Sequence, residues 1–462
     1  MTTNKVIKLN SANTPHLALP ADSRLREADF IFGVATSAFQ IEGGAETRES
    51  SIWDDFCQQP GRIKDGSDGI VACAHVERWQ EDIELMQQLG VDAYRFSIAW
   101  GRVIRADGSV NPDGLGFYQA LVAQLNNAGI KPFVTLYHWD LPSYLQAQGG
   151  WLNRQTAYAF ASYAEVIAKA LGDKVYSYTT LNEPFCSAYL GYEVGIHAPG
   201  ESCQKQGRQV AHHLLLAHGL AMTHLRTHAP KAQHGIVLNC SPFHAASASP
   251  LDEKAAQQAH EYHNLWYLQP LLTGHYPKVM EQFNRANLPE IKPGDLTIIQ
   301  QPLDFIGINY YTRHIVQATP SGWFEELPAP VDAELTAMGW EVYPQGLTEI
   351  LMRLDQEFAN LPPILITENG AAFADAVSSG TVADLDRIRY FQSHLNAVDQ
   401  AARNSVKING YFAWSLLDNF EWAEGYTKRF GLVYVDFTTQ QRVLKQSALA
   451  YQQLLQSRHN QS

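Results

Sequence analysis

The chain has 462 residues, 45% of them hydrophobic and 18% charged, which excludes a disordered protein and leaves either two or three average domains or one large α/β barrel. Its formal net charge is −13, so nucleic acid and anionic membrane surfaces would both repel it. No apolar run approaches the ~20 residues of a membrane span. The polar residues 1–20 lack the apolar core of a signal peptide, and the five cysteines (Cys57, Cys73, Cys186, Cys203 and Cys240) contain no CxxC pair. Neither a disulfide framework nor a cysteine zinc site is expected, and a reducing cytoplasm is the simplest setting.

Residues 1–20 are expected to be mobile, with 21–462 forming one catalytic domain. The first strand is expected over 30–38, running straight into Phe39-Gln40-Ile41-Glu42-Gly43. A long polar loop follows, then a helix over 75–89 ended by Gly90. Residues 93–100 alternate as a strand, 115–128 form a helix ended by Gly129, and 131–138 form the third strand. A helix over 155–171 leads to the strand 177–183. The second half repeats the rhythm. A histidine-spotted helix over 210–227 precedes a strand over 235–240, and a longer, less regular stretch reaches a strand over 304–311. Helix 345–359 precedes strand 364–370, helix 384–404 precedes strand 408–416, and a last helix covers 445–456. Eight strands alternating with helices predict a parallel sheet closed into a (β/α)8 TIM barrel. The loops 40–70, 312–340 and 417–437 are long, as functional loops of a barrel are.

In such a barrel the site lies at the carboxyl ends of the strands. The polar residues there are Gln40, Arg95, His138, Asn182, Glu183, Asn309, Tyr311, Glu368 and Trp414. Two strands end on glutamate. Ile364-Leu365-Ile366 is apolar enough to be buried on both faces, yet it runs into Glu368. Ser177 to Leu181 runs into Asn182, Glu183 and the chain-breaking Pro184. Taken singly, either glutamate is better explained as a helix cap or an arginine partner. Two such strands, each with Asn beside its Glu, make a facing pair of carboxylates equally good, and such a pair cleaves glycosidic bonds.

Longer motifs decide between them. FIFGVATSAFQIEGG (30–44), TLNEP (180–184) and ITENG (366–370) stand with YRFSIAW (94–100), LYHWDLP (136–142), GINYY (307–311), MGWEVYP (338–344) and WSLLDNFEWAEGYTKRFGLVYVD (414–436). Together they resemble glycoside hydrolase family one, the β-glucosidase family, over nearly the whole chain. The resemblance implies a retaining double displacement with no cofactor. Glu368 would be the nucleophile and Glu183 the acid/base, with carboxyls about 5–5.5 Å apart. Arg95 and Tyr311 would keep Glu368 ionised. Gln40, His138, Asn182, Glu421 and Trp422 match sugar-hydroxyl positions, beside Trp139 and Asn309, with Trp414 beneath the ring. Trp340 and Phe430 fall to the aglycone or the rim. Trp323 is as well explained by packing.

The implied partner is a small-molecule β-glycoside or oligosaccharide: a terminal β-D-glucoside, galactoside or fucoside. A 6-phospho-glycoside is disfavoured because an acidic Glu421 would repel phosphate. A non-catalytic glycan-binding relative is disfavoured because both glutamates are present. Among the histidines of helix 210–227 and its end, only His224 and His228 share the four-residue spacing of one helix face, and no HExxH motif occurs. They are read as solvated or packed, and no metal is expected. The oligomeric state is left open.

Overall fold

The computed structural model describes residues 16–459. Eight strands close into a parallel barrel: β1 (Ile31–Ala35), β2 (Ala93–Ser97), β3 (Lys131–Tyr137), β4 (Ser177–Asn182), β5 (Gln233–Asn239), β6 (Phe305–Asn309), β7 (Ile364–Asn369) and β8 (Ile408–Trp414). Each pairs with its neighbour in sequence, and β1 closes the ring on β8, with Ile31 opposite Gly410 and Ala35 opposite Trp414. The outer helices are α1 (His75–Leu89), α2 (Pro112–Asn127), α3 (Gln155–Leu171), α4 (Gln204–His228), α5 (Pro250–His260), α6 (Pro344–Glu357), α7 (Leu385–Arg403) and α8 (Gln446–His459).

The continuous apolar runs follow from burial on both faces of the sheet. On β1, Ile31 joins an inner cluster while Phe32 and Val34 pack outward beneath the helices. Inside, Ala93, Phe133, Phe305, Leu365 and Phe412 fill the barrel. The rings of Phe133 and Phe412 meet across it at 4.9 Å, so the interior is packed rather than open. Glycine ends α1 as its backbone requires: Gly90 has φ 74°, a left-handed conformation, and its N–H returns to the Met86 and Gln87 carbonyls.

The expected strands are correctly placed but end early. Residues after β1 and β2 turn into the short helices Ala38–Ile41 and Trp100–Val103. The long loops also carry structure. Helix Ile52–Cys57 lies in the first, with Asp54 closing a capping box on Ser51. The irregular stretch before β6 contains α5 and helix Trp266–Thr273. Strands Phe243–Ala245, His314–Ala318 and Phe324–Leu327 make a small separate sheet. Most of the segment expected to be mobile, residues 1–15, lies outside the described residues. Its last part is anchored instead: Leu17 and Leu19 are buried, and the Ala18 N–H donates to Gln392 at 2.7 Å.

The loop after β8 is held by buried charge. Lys445 Nζ donates to Asp375 at 2.5 Å and to Asp418 at 2.7 Å, and Arg429 donates to Asp418 at 2.7 Å. Each buried charge has a partner, which is the condition for placing it there. The network fixes the segment that carries Glu421 and Trp422 over the barrel mouth. Among the described residues no helix is long and apolar enough to cross a membrane.

Candidate active site

Both glutamate strands lose their regular register just before the acid. The β4–β5 pairing shifts between Thr179 and Asn182, and the β7–β6 pairing shifts between Ile366 and Glu368. Such irregularities re-aim side chains and cluster at functional sites. Glu183 follows with φ 45°, and Trp139 and Trp422 are also left-handed, at φ 80° and 49°. Non-glycine residues pay conformational energy for this, on the order of 1–3 kcal/mol each, and such residues collect where geometry is used. Gly370 serves a different need, since a Cβ there would collide with the Trp414 carbonyl oxygen.

Glu183 and Glu368 line one cavity of about 560 Å³ at the carboxyl ends of the strands. Glu368 Oε1 accepts from Arg95 Nη1 at 2.6 Å, and Oε2 accepts from the Tyr311 hydroxyl at 2.7 Å. Arg95 Nη2 donates to Asn182 Oδ1 at 2.6 Å. Asn309 Nδ2 donates to the same oxygen at 3.1 Å and to Glu183 Oε1 at 2.7 Å. A continuous polar chain therefore joins the two acids through β2, β4, β6 and β7. Burial first, and the Glu368 charge second, push the Glu183 carboxyl up to about 7.

His138 carries a readable tautomer. Arg95 and Asn309 fix Asn182 Oδ1 as an acceptor, so the Asn182 amide nitrogen donates to His138 Nε2, at 3.0 Å. The proton then sits on Nδ1, which is buried and without a protein partner. Burial, followed by the Arg95 charge, lowers the imidazole's affinity for a second proton. Glu421 Oε2 is likewise buried without a partner, and burial followed by the charges of Glu368 and Glu183 pushes that carboxyl up to about 8. A neutral donor and an unmet oxygen in one cavity suit a ligand rich in hydroxyls.

The family model for glycosyl hydrolase family 1 matches residues 23–460. The chain belongs to glycosyl hydrolase family 1. It is 44% identical over 438 residues to β-glucosidase A of Thermotoga maritima, covering 93% of this chain and 97% of that one. It is 43% identical over 446 residues to a bifunctional β-D-glucosidase/β-D-fucosidase of Bifidobacterium breve, covering 90% and 95%. The Thermotoga maritima family 1 β-glucosidase solved in complex with isofagomine lactam superposes with a TM-score of 0.90 at 44% identity, covering 94% of this chain and 98% of that structure.

In this family 1 barrel most of the expected site residues do meet. His138, Trp139, Asn309, Tyr311, Trp340, Trp414, Glu421, Trp422 and Phe430 line the cavity with the two glutamates. Gln40, Arg95 and Asn182 lie behind its wall. The Gln40 side-chain amide donates to Asn419 Oδ1 at 3.0 Å and to the Phe420 carbonyl at 2.8 Å, tying the β1 end to the loop after β8. Trp139 Nε1 donates to the Asn182 carbonyl at 2.9 Å, and its ring centroid lies 4.6 Å from that of Trp422. Trp340 and Phe430 flank the Tyr311 ring at 5.4 and 6.2 Å. Trp323 lies elsewhere, packed on Tyr262, Phe283 and Phe324.

Sequence reasoning missed the apolar side of the cavity, Phe185, Leu190, Ile196 and Met338, and it missed Cys186. The Cys186 thiol donates to Glu183 Oε2 at 3.0 Å. A signal for it existed, because Cys186 follows Glu183 by three residues, nearly one helical turn, where Pro184 opens a helix. The histidines of α4 divide. His212 bonds Asp295 and Tyr276, His213 bonds the Trp151 carbonyl, and His218 bonds Thr180, all as packed groups.

Proposed function

We propose that the chain is a retaining β-glycosidase that releases terminal non-reducing β-D-glucosyl residues, with Glu368 as nucleophile and Glu183 as acid/base. The observation that carries this reading is the shared cavity. In it one carboxylate is held by Arg95 and Tyr311, and a second carboxyl is buried toward its protonated form. Glu368 attacks the anomeric carbon as the glycosidic C–O bond breaks, and the Glu183 proton goes to the departing oxygen. The new ester removes the Glu368 charge, so the carboxyl of Glu183 becomes more acidic. As a carboxylate it takes a proton from water, whose oxygen displaces Glu368 with a second inversion.

Hydroxyl recognition is proposed to fall to His138 Nδ1–H and Glu421 with Trp422, and the ring face to Trp414. Gln40 and Asn182 set the positions of these groups. The relatives named β-glucosidase and β-glucosidase/β-fucosidase support glucose-type and fucose-type sugars. The described residues that line the cavity include no lysine or arginine to receive a 6-phosphate, which argues against phosphorylated sugars. Five unpaired cysteines support a cytoplasmic setting. Nitrophenyl β-glucoside, β-galactoside, β-fucoside and 6-phospho-β-glucoside test the reading together. Turnover of the glucoside and fucoside, with none of the phosphorylated sugar, is expected. Silence toward every β-glycoside would overturn it.

Cys186 is a positioning residue in this scheme. Its thiol and the Asn309 amide are the donors that partly offset the effect of burial on Glu183. Cys186→Ala removes one donor, a hydrogen bond of about 1 kcal/mol, so the alkaline limb of the kcat/KM profile is expected to move upward by less than about one pH unit. Cys186→Ser should restore the limb. A profile indifferent to both substitutions would leave the thiol with a packing role only.

A further inference from the structure

The outer faces of α3 and α4 pack side by side and bring three ligand-type side chains together away from the cavity. His224 and His228 project from adjacent turns of α4, and Glu165 meets them from α3. Glu165 Oε1 lies 3.5 Å from His228 Nε2 and 3.8 Å from His224 Nδ1, and the three ligand atoms all fall within 4.8 Å of one another. A zinc ion about 2.0–2.1 Å from each nitrogen holds tetrahedral ligands roughly 3.4 Å apart, so the group needs only small side-chain adjustments to close on one.

All three side chains are partly exposed, which leaves solvent able to complete the coordination shell. Lys169 is the one obstacle, since its Nζ lies 2.7 Å from Glu165 Oε1. It is 56% exposed on a flexible stem, so it can withdraw as the ion takes over the charge. On α4 alone the two histidines form a solvated helix face. The third ligand comes from another helix, beyond any spacing rule within one segment.

We infer that Glu165, His224 and His228 form a surface site for a divalent transition-metal ion of the zinc type, clamping α3 to α4. Two imidazoles with one carboxylate favour zinc, nickel or copper over magnesium or calcium. The ion bridges the helix that runs into β4 and the helix that follows it. Its role is structural, since none of its ligands lines the cavity.

The test is a zinc chloride titration of the untagged full-length protein, read by calorimetry and by thermal unfolding. One saturable site per chain and a raised Tm are expected. The double variant His224→Ala/His228→Ala should lose both effects while keeping β-glucoside turnover and its metal-free Tm. The exposed thiol of Cys203 is the competing soft ligand, so Cys203→Ser must retain the site. Glu165→Gln should weaken binding, and unchanged affinity would remove Glu165 from the set. Absence of saturable binding in the unsubstituted protein, or its survival in the double histidine variant, overturns the inference.

Discussion

Replacing Glu368 by alanine is expected to abolish hydrolysis of β-glucosides, with a loss on the order of 10⁴-fold or more, because the proposed covalent step then has no nucleophile. The cavity left by the missing carboxylate can admit a small anion. Azide supplied to Glu368→Ala should restore part of the turnover of an activated aryl glycoside. Its product should be the α-glycosyl azide, since one displacement replaces two. The anomeric configuration, read by proton NMR, decides the assignment. A rescued product with only the β configuration would remove Glu368 from the nucleophile's role.

Glu183→Gln should produce the second-largest effect, and it should depend on the leaving group. General-acid catalysis is worth roughly 10²–10⁴-fold, so cellobiose and alkyl glucosides, whose leaving groups need a proton, should lose that much. Dinitrophenyl glucoside needs little protonation and should lose far less in its first step. The pH profile carries an independent sign. The acid role proposed for Glu183 requires its proton, and its carboxyl is pushed up to about 7. The kcat/KM of the unsubstituted enzyme should therefore fall as pH rises through about 7, and it should be insensitive to this group below that. In Glu183→Gln the limb should vanish, because no proton remains to be lost. Glu421 rises to about 8 and also faces the cavity, so Glu421→Gln is the control. It should weaken sugar binding and keep the limb near 7. A limb that disappears with Glu421 instead would assign it to sugar recognition.

The barrel was legible because each of its strands is buried on both sides. That burial forces runs such as Ile364-Leu365-Ile366, and only a polar strand end interrupts them. The ends were less legible. Thr36 and Ser37 still look like strand residues, yet the backbone turns there into helix Ala38–Ile41. The small sheet that includes His314–Ala318 escaped notice because its residues are half exposed and carry no alternation strong enough to read. In the site, the acids and their nearest partners sit at strand ends and could be found from sequence. The wall contributed by Ile196 and Met338 comes from loop segments, and that by Leu190 from the short helix Cys186–Glu193, whose paths depend on tertiary packing. Cys186 and Glu165 were missed for related reasons. One reaches back along its own turn, and the other acts only through a neighbouring helix.

The seam between β1 and β8 has a consequence for biosynthesis. Both acids are already present in a nascent polypeptide that has been translated through β7, but the seam cannot form until β8 has left the ribosome. Glu421 and Trp422 emerge later still, and they settle against the Gln40 end of the oldest strand. Glycoside cleavage therefore belongs to the finished molecule alone. Removing β1 at one end, or trimming back to β8 at the other, should remove sugar affinity and turnover in a single step rather than by degrees.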